Sequence, residues 1–157
     1  MSDNFDLSAL KQFATDLTKK YRVQVGIFGN KDARKQGEST NAYLGSIHEF
    51  GWPPSGIPPR SFLRMPLSVK SKEILAQAAG ADLTRALLRG DLKLVMKRLG
   101  VACEKVVQEA FATRGFGTWR PDKPATVRRK HNAPGDDSPL IDTGQLRRSI
   151  TSRVVEK

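Results

Sequence analysis

Leu7, Leu10, Phe13, Ala14, Leu17 and Tyr21 fall at three- and four-residue steps, a spacing that predicts an amphipathic helix over residues 7–21. Asp6 is its expected N-cap, because a carboxylate there accepts unpaired first-turn amides. The period then changes. Val23, Val25 and Ile27 alternate with Arg22, Gln24 and Gly26, the pattern of a half-buried strand, and Gly29-Asn30 closes it. Residues 30–40 are largely polar and predict a mobile loop.

Residues 41–50 predict a short helix with Leu44, Ile47 and His48 on one side and Gly51 ending it. The stretch from Trp52 to Pro59 holds four prolines, which fix φ and remove donors, so a stiff extended connection is expected. Helical character returns near Pro66, and residues 67–79 and 83–88 are apolar enough for helices, with breaks at Gly80 and Gly90. Asp91 is placed to cap the clearest helix. Leu92, Val95, Met96, Leu99, Ala102, Cys103, Val106, Val107 and Ala110 recur at helical steps to about Thr113. A helix of that length spans about 30 Å, so it is the expected spine of the domain.

Residues 115–139 are rich in glycine, proline and charge and predict a long loop of the functional or disordered kind. In Asp142-Thr143-Gly144-Gln145-Leu146, the aspartate or threonine is suited to cap a short helical turn, after which residues 149–155 alternate like a strand. The expected fold is one α+β domain over residues 1–157. Its small, mostly antiparallel sheet uses strands near 22–28 and 149–155, packed by the N-terminal helix and the long central helix. Residues 30–40 form its expected mobile loop, 51–60 its proline-rich arm and 115–139 its long loop.

Charge sharpens this outline. The 157 residues hold 27 Lys+Arg against 16 Asp+Glu, so 27 − 16 gives +11. That balance suits nucleic acid, an acidic membrane surface or acidic protein partners. The basic residues are spread along the chain, and Arg128-Arg129-Lys130 is the one dense run. No apolar run approaches the roughly 20 residues a membrane span needs. Met1-Ser2-Asp3-Asn4 lacks the layout of a signal peptide, so synthesis in a cytosol is expected. A single cysteine, Cys103, excludes an internal disulfide framework.

Catalytic and metal chemistry finds few candidates. His48-Glu49 opens like a helical zinc motif, but position 52 is Trp52 where the second histidine belongs. His131 is the other histidine, far along the chain, and no cofactor is expected. Cys103 lies on the apolar face of the long helix, as a small buried hydrophobe does. Gly26-Ile27-Phe28-Gly29 lacks the lysine of a phosphate loop. Asp136, Asp137 and Asp142 invite a magnesium-nuclease reading, but they fall in a loop rather than on rigid elements. No enzymatic activity is expected. Phe116 and Trp119 among Arg114, Arg120, Lys123 and Arg128-Arg129-Lys130 form the aromatic-plus-basic pattern of a single-strand binder, which keeps nucleic-acid binding as the alternative function.

Two segments carry a family likeness. One is Ile47-His48-Glu49-Phe50-Gly51 followed by Ile57-Pro58-Pro59-Arg60-Ser61-Phe62-Leu63-Arg64. The other runs through Phe116-Gly117-Thr118-Trp119-Arg120-Pro121, Thr126-Val127-Arg128-Arg129-Lys130 and Ser138-Pro139-Leu140-Ile141-Asp142-Thr143-Gly144-Gln145-Leu146-Arg147-Arg148-Ser149-Ile150. With the strand Val25-Gly26-Ile27-Phe28-Gly29, they resemble tail-completion and neck proteins of tailed bacteriophages, notably the virion-morphogenesis proteins of Mu-like phages and the lambdoid tail-component proteins. The likeness covers about residues 21–152. It departs after Trp119, where Pro121 is followed by Asp122-Lys123, and it offers nothing for residues 68–90.

The resemblance implies a non-enzymatic structural protein of the virion, assembled in the host cytoplasm. It would form a ring, with six subunits expected, at the head-proximal end of the tail, between the tail tube and the head-side connector. Ile57, Pro58, Pro59 and Arg60 then read as a pre-stiffened docking arm. Phe62, Phe116 and Trp119 read as interface anchors, with Arg147 and Arg148 beside them. Arg128, Arg129 and Lys130 are candidates to face DNA in the channel, and no membrane partner is implied.

Overall fold

Helix α1 (Leu7–Lys20) runs straight into strand β1 (Tyr21–Ile27). The structure, a computed structural model, describes residues 7–34, 39–79, 86, 89–130 and 137–157. Asp6, the expected cap of α1, and most of the expected helix at 83–88 lie outside them. The chain continues through α2 (Asn41–Phe50), α3 (Arg64–Val69), α4 (Ser71–Ala78), α5 (Leu92–Ala112), α6 (Pro124–Arg129) and α7 (Gln145–Ser149), ending in β2 (Ile150–Glu156). The fold is α+β, as the alternating and helical periods predict.

β1 and β2 pair antiparallel, from Tyr21 opposite Glu156 to Ile27 opposite Ile150. Side chains of directly opposed residues share a face, so Val23, Val25 and Ile27 join Val154, Ser152 and Ile150 over α5. On the other face the Arg153 guanidinium binds Gln24 at 2.8 Å and lies 4.2 Å from the Phe28 ring. The Lys157 amide donates to the Lys20 carbonyl, so by alternation of the ladder the Ser152 amide faces away from β1. It donates to the Glu104 carboxylate on α5 at 2.5 Å, and Thr151 Oγ1 donates to the same oxygen.

The spine is where the spacing puts it. α5 has 21 residues, and Asp91 caps it by accepting from the Leu94 amide at 3.0 Å. Val107, Ala110 and Phe111 on its inner face pack with Phe62, Trp119, Leu146 and Ile150. A second cluster joins Ala102 and Val106 to Ile74 of α4. Phe62, Phe111 and Trp119 form an aromatic series, with centroids 5.3 and 5.6 Å apart and the Trp119 ring edge-on to Phe111.

Three segments differ from expectation. The proline-rich stretch is not an extended arm. Trp52 and Ile57 pair through both backbone bonds around a 3-10 turn at Pro53–Ser55, and Gly56 turns the chain back at φ 63°. Gly51 has φ 81°, and a Cβ there would meet the Pro59 nitrogen at 2.9 Å, so the closed loop sits against its own entry. The described part of 30–40 is hydrogen-bonded to the start of α2. Buried Asn41 donates to the Lys31 and Ala33 carbonyls and accepts from Arg34. Residues 115–130 are likewise no free loop, since they contain α6 and bury Trp119.

Helix and sheet approach closely at Gly100 of α5, where a Cβ would stand 2.5 Å from Ser152 Oγ and 3.0 Å from Ser152 Cβ. Gly100→Val should therefore lower stability by about 1–3 kcal/mol through overpacking. Urea unfolding would show this as a lower midpoint at constant slope; an unchanged midpoint would mean the helix has room to move off.

Candidate functional site

α2 is amphipathic in reverse. Its buried face is Asn41, Gly45 and Glu49, at i, i+4 and i+8, whereas Tyr43 and Phe50 are exposed. Gly45 lets the helix lie against Ile27 and Phe62, each 3.3 Å from where a Cβ would stand. Leu44, Ile47 and His48, the expected inner side, are half-buried.

Glu49 is the fastener between the two halves of the first motif. Its carboxylate accepts from Ser61 Oγ at 2.5 Å and from the backbone amides of Phe62, Leu63 and Arg64 at 2.8, 3.0 and 3.1 Å. These amides lead into α3, where no carbonyl of the preceding turn is available to them. The charge also faces the positive end of α3. Ser61 Oγ in turn accepts from the Met65 amide, and the Ser61 carbonyl accepts from the Trp119 indole at 3.2 Å. Glu49 was legible only as the neighbour of a candidate zinc histidine; its position one full helical repeat after Gly45 was the usable signal.

Arg60 ties the first motif to the second. Its Nε and Nη2 donate to the carbonyls of Arg120 and Pro121, and Nη2 lies 2.8 Å from the Asp122 carboxylate. Lys130 approaches the other Asp122 oxygen at 2.6 Å and donates to the Ser138 carbonyl. All three charged side chains are buried, at 6%, 7% and 7% exposure. Asp122, one of the departures from the family pattern, is thus the centre of the cluster. The Arg60 amide donates to the His48 carbonyl at 2.7 Å, which brings α2 into the same assembly.

Two cavities of about 380 and 630 Å³ adjoin here, sharing His48, Arg60, Asp122, Thr126 and Arg129 in their walls. Burial, and then the Arg60 charge, push the His48 imidazole down to about 4, with Arg34 and Lys130 acting in the same sense and Asp122 opposing. Its Nδ1 is buried and meets no hydrogen-bond partner among the described residues.

Several expected interface residues turn out to be internal. Arg60, Phe62 and Trp119 are buried within the chain, because the core around Phe111 and the Asp122 carboxylate use them. Lys130, expected to face DNA, has its ammonium against Asp122 at 2.6 Å and a side chain only 7% exposed. The aromatic-plus-basic reading of this loop loses Trp119 and Lys130 together. Phe116 is half-buried beneath the Lys70 ammonium, 5.0 Å from its ring centroid. Arg147 donates to Gln108 at 2.7 Å, and exposed Arg148 donates to the Thr143 carbonyl. Arg128, Arg129 and Pro59 are exposed, and Ile57 and Pro58 are half-buried. The N-cap of α7 is Gly144 at φ 70°, with no side-chain cap bond, so neither Asp142 nor Thr143 caps the turn as expected; Thr143 Oγ1 accepts from the Gln145 amide at 3.4 Å, a local turn ahead of the helix.

Asp137 pairs with Arg114 at 2.5 Å, and Asp136 and His131 lie outside the described residues. Among the described residues no group of three or more metal-ligating side chains forms, and no helix is long and apolar enough to cross a membrane. Cys103 is half-buried, and burial followed by the Glu104 charge raises its thiol above the ordinary value, which keeps it protonated. Compared with known proteins, the chain matches no family model, no curated protein and no solved structure.

Glu49→Gln should be strongly destabilising despite its shape. An NH₂ group would replace one oxygen that accepts two bonds, leaving donors facing donors, at a cost of about 2–4 kcal/mol. Thermal and urea unfolding would reveal it, and parity with the parent would deny Glu49 its fastening role. His48 sets a pH dependence. An unfolded histidine protonates near 6.5 but the folded one only near 4, so between these values the unfolded chain binds the extra proton. Stability contributed by neutral His48 is therefore present above pH 6.5 and lost as pH falls to about 4, by up to about 3 kcal/mol. In His48→Gln, the unfolding midpoint should fall less steeply across that window; an identical profile would assign the acid sensitivity elsewhere.

Proposed function

We propose that this chain is a structural virion protein of a tailed phage, forming a ring at the head-proximal end of the tail and joining tail to head. The observation that supports it best is the inverted α2. A helix that buries an asparagine, a glycine and a glutamate while Tyr43 and Phe50 stand 53% and 65% exposed presents an apolar face outward. Trp52, at the start of the closed proline loop that follows, is 44% exposed. A groove lined by Ile27, Ala42, Phe50 and Leu63 runs beside it. Clustered exposed aromatics of this kind mark protein interfaces.

The motif residues fit the same reading. Glu49, Arg60, Phe62, Trp119 and Asp122 hold the protomer together instead of presenting a reactive centre, as a building block requires. Subunit contacts then fall to the α2 face, the loop at Trp52–Ile57 and the exposed basic residues Arg128, Arg129 and Arg148.

Light scattering and particle class averages test the ring directly, and a chain that stays monomeric in finished particles would refute it. Phe50→Asp should leave the fold's unfolding midpoint within about 0.5 kcal/mol of the parent, as expected for an exposed site, while sharply reducing oligomer and infectious particles. Full assembly by the variant would remove α2 from the interface.

A further inference from the structure

We propose that the two adjoining cavities around Arg60, Asp122 and Lys130 bind an acidic peptide segment of a partner protein through its carboxylate side chains. The buried cluster sets one carboxylate against two cations. Carbonyls of Arg120, Pro121 and Ser138 accept hydrogen bonds from those cations but carry no full charge, so among the described residues the cluster keeps an excess positive charge. Excess charge away from water is costly unless a counter-charge arrives.

The surroundings add to the excess. Among the described residues, Arg34, Arg60, Arg129 and Lys130 face Asp122 and Asp142 in the first cavity, four cations to two acids. The second cavity adds Arg120 and Lys123 to the wall and, among the described residues, no further carboxylate. Neutral His48, with its buried Nδ1, stands where both cavities meet and offers a polar contact to an incoming group.

Shape selects the occupant. The paired cavities are concave and large enough for several residues of extended chain. Their walls mix guanidinium groups with apolar side chains, among them Leu44, Leu140 and Ile57. A peptide that alternates acidic and apolar residues matches both, with arginine–carboxylate bonds for orientation and apolar burial for affinity. A nucleic-acid backbone instead asks for a continuous exposed row of cations along a groove, and buried Lys130 interrupts any such row here. The inference concerns the isolated chain and stands apart from ring formation.

The test uses the full chain and a short peptide of alternating glutamate and leucine, by calorimetry. Inorganic phosphate and a single-stranded oligonucleotide of equal net charge serve as competitors. Saturable binding at one peptide per chain is expected, weakened about tenfold or more by Arg129→Glu and by Lys123→Glu, both exposed positions whose change leaves the fold intact. Bound carboxylates would offset Arg34, Arg60 and Lys130, so the NMR titration midpoint of His48 should move up from about 4 in the complex. Three outcomes overturn the proposal: no saturable binding at ~1 mM peptide, affinity unchanged in both variants, or an oligonucleotide or phosphate that displaces the peptide with tighter binding. The last would make this a phosphate site.

Discussion

The carboxylate of Glu49 governs where the chain goes after its proline loop. Four donors converge on two oxygens, three of them backbone amides that open α3. Without that acceptor the amides of Phe62, Leu63 and Arg64 would lose their partner, the first of them in the buried core. Phe62 would then have no reason to point at Phe111, and Arg60 no fixed path to Asp122. The aromatic series and the charge cluster are thus both downstream of one side chain on α2. That explains why α2 gives its inner face to polar and small residues: the helix is oriented by its hydrogen bonds, and its aromatics are left to the outside.

The cluster at Asp122 does for the second motif what Glu49 does for the first. Arg60 reaches the backbone at Arg120 and Pro121 as well as the carboxylate, so it fixes the path of a segment about sixty positions away. Buried ion pairs of this sort add little net stability over an apolar replacement, yet losing one partner is costly. Their contacts join the proline loop to the segment that leads into α6. The same arrangement leaves the walls of the two cavities positively charged, so holding the fold and attracting an acidic group come from one set of residues.

Periodic features were legible in the sequence. The long helix, its Asp91 cap, the switch to alternation at Val23 and the terminal strand all follow from local spacing, and each appears within a residue or two of its expected bounds. What could not be read was anything decided by a distant partner. The prolines at 53, 54, 58 and 59 forbid a regular helix or sheet interior, but only the left-handed Gly56 and the Trp52–Ile57 pair turn the segment into a closed loop. Composition made residues 115–130 look loose, whereas Trp119 is anchored by Ser61 and Asp122 by Arg60, 58 and 62 positions away, and Lys130 by Asp122 in turn. For the same reason the conspicuous motif residues looked like interface anchors. Aromatic and arginine side chains serve equally well inside a protomer, and local sequence does not distinguish the two uses.

Glu104 carries a consequence for how copies of this chain behave in a crowded solution. A sheet of two strands has two open margins, and unpaired amides along a margin invite any extended chain to add on. At β2 the outward amide of Ser152 is already held by a carboxylate from α5, and Thr151 is drawn to the same oxygen. A stray strand would have to displace a charge-assisted bond before it gained one of its own. The central helix therefore occupies the β2 margin at Ser152, where an added strand would have to displace it.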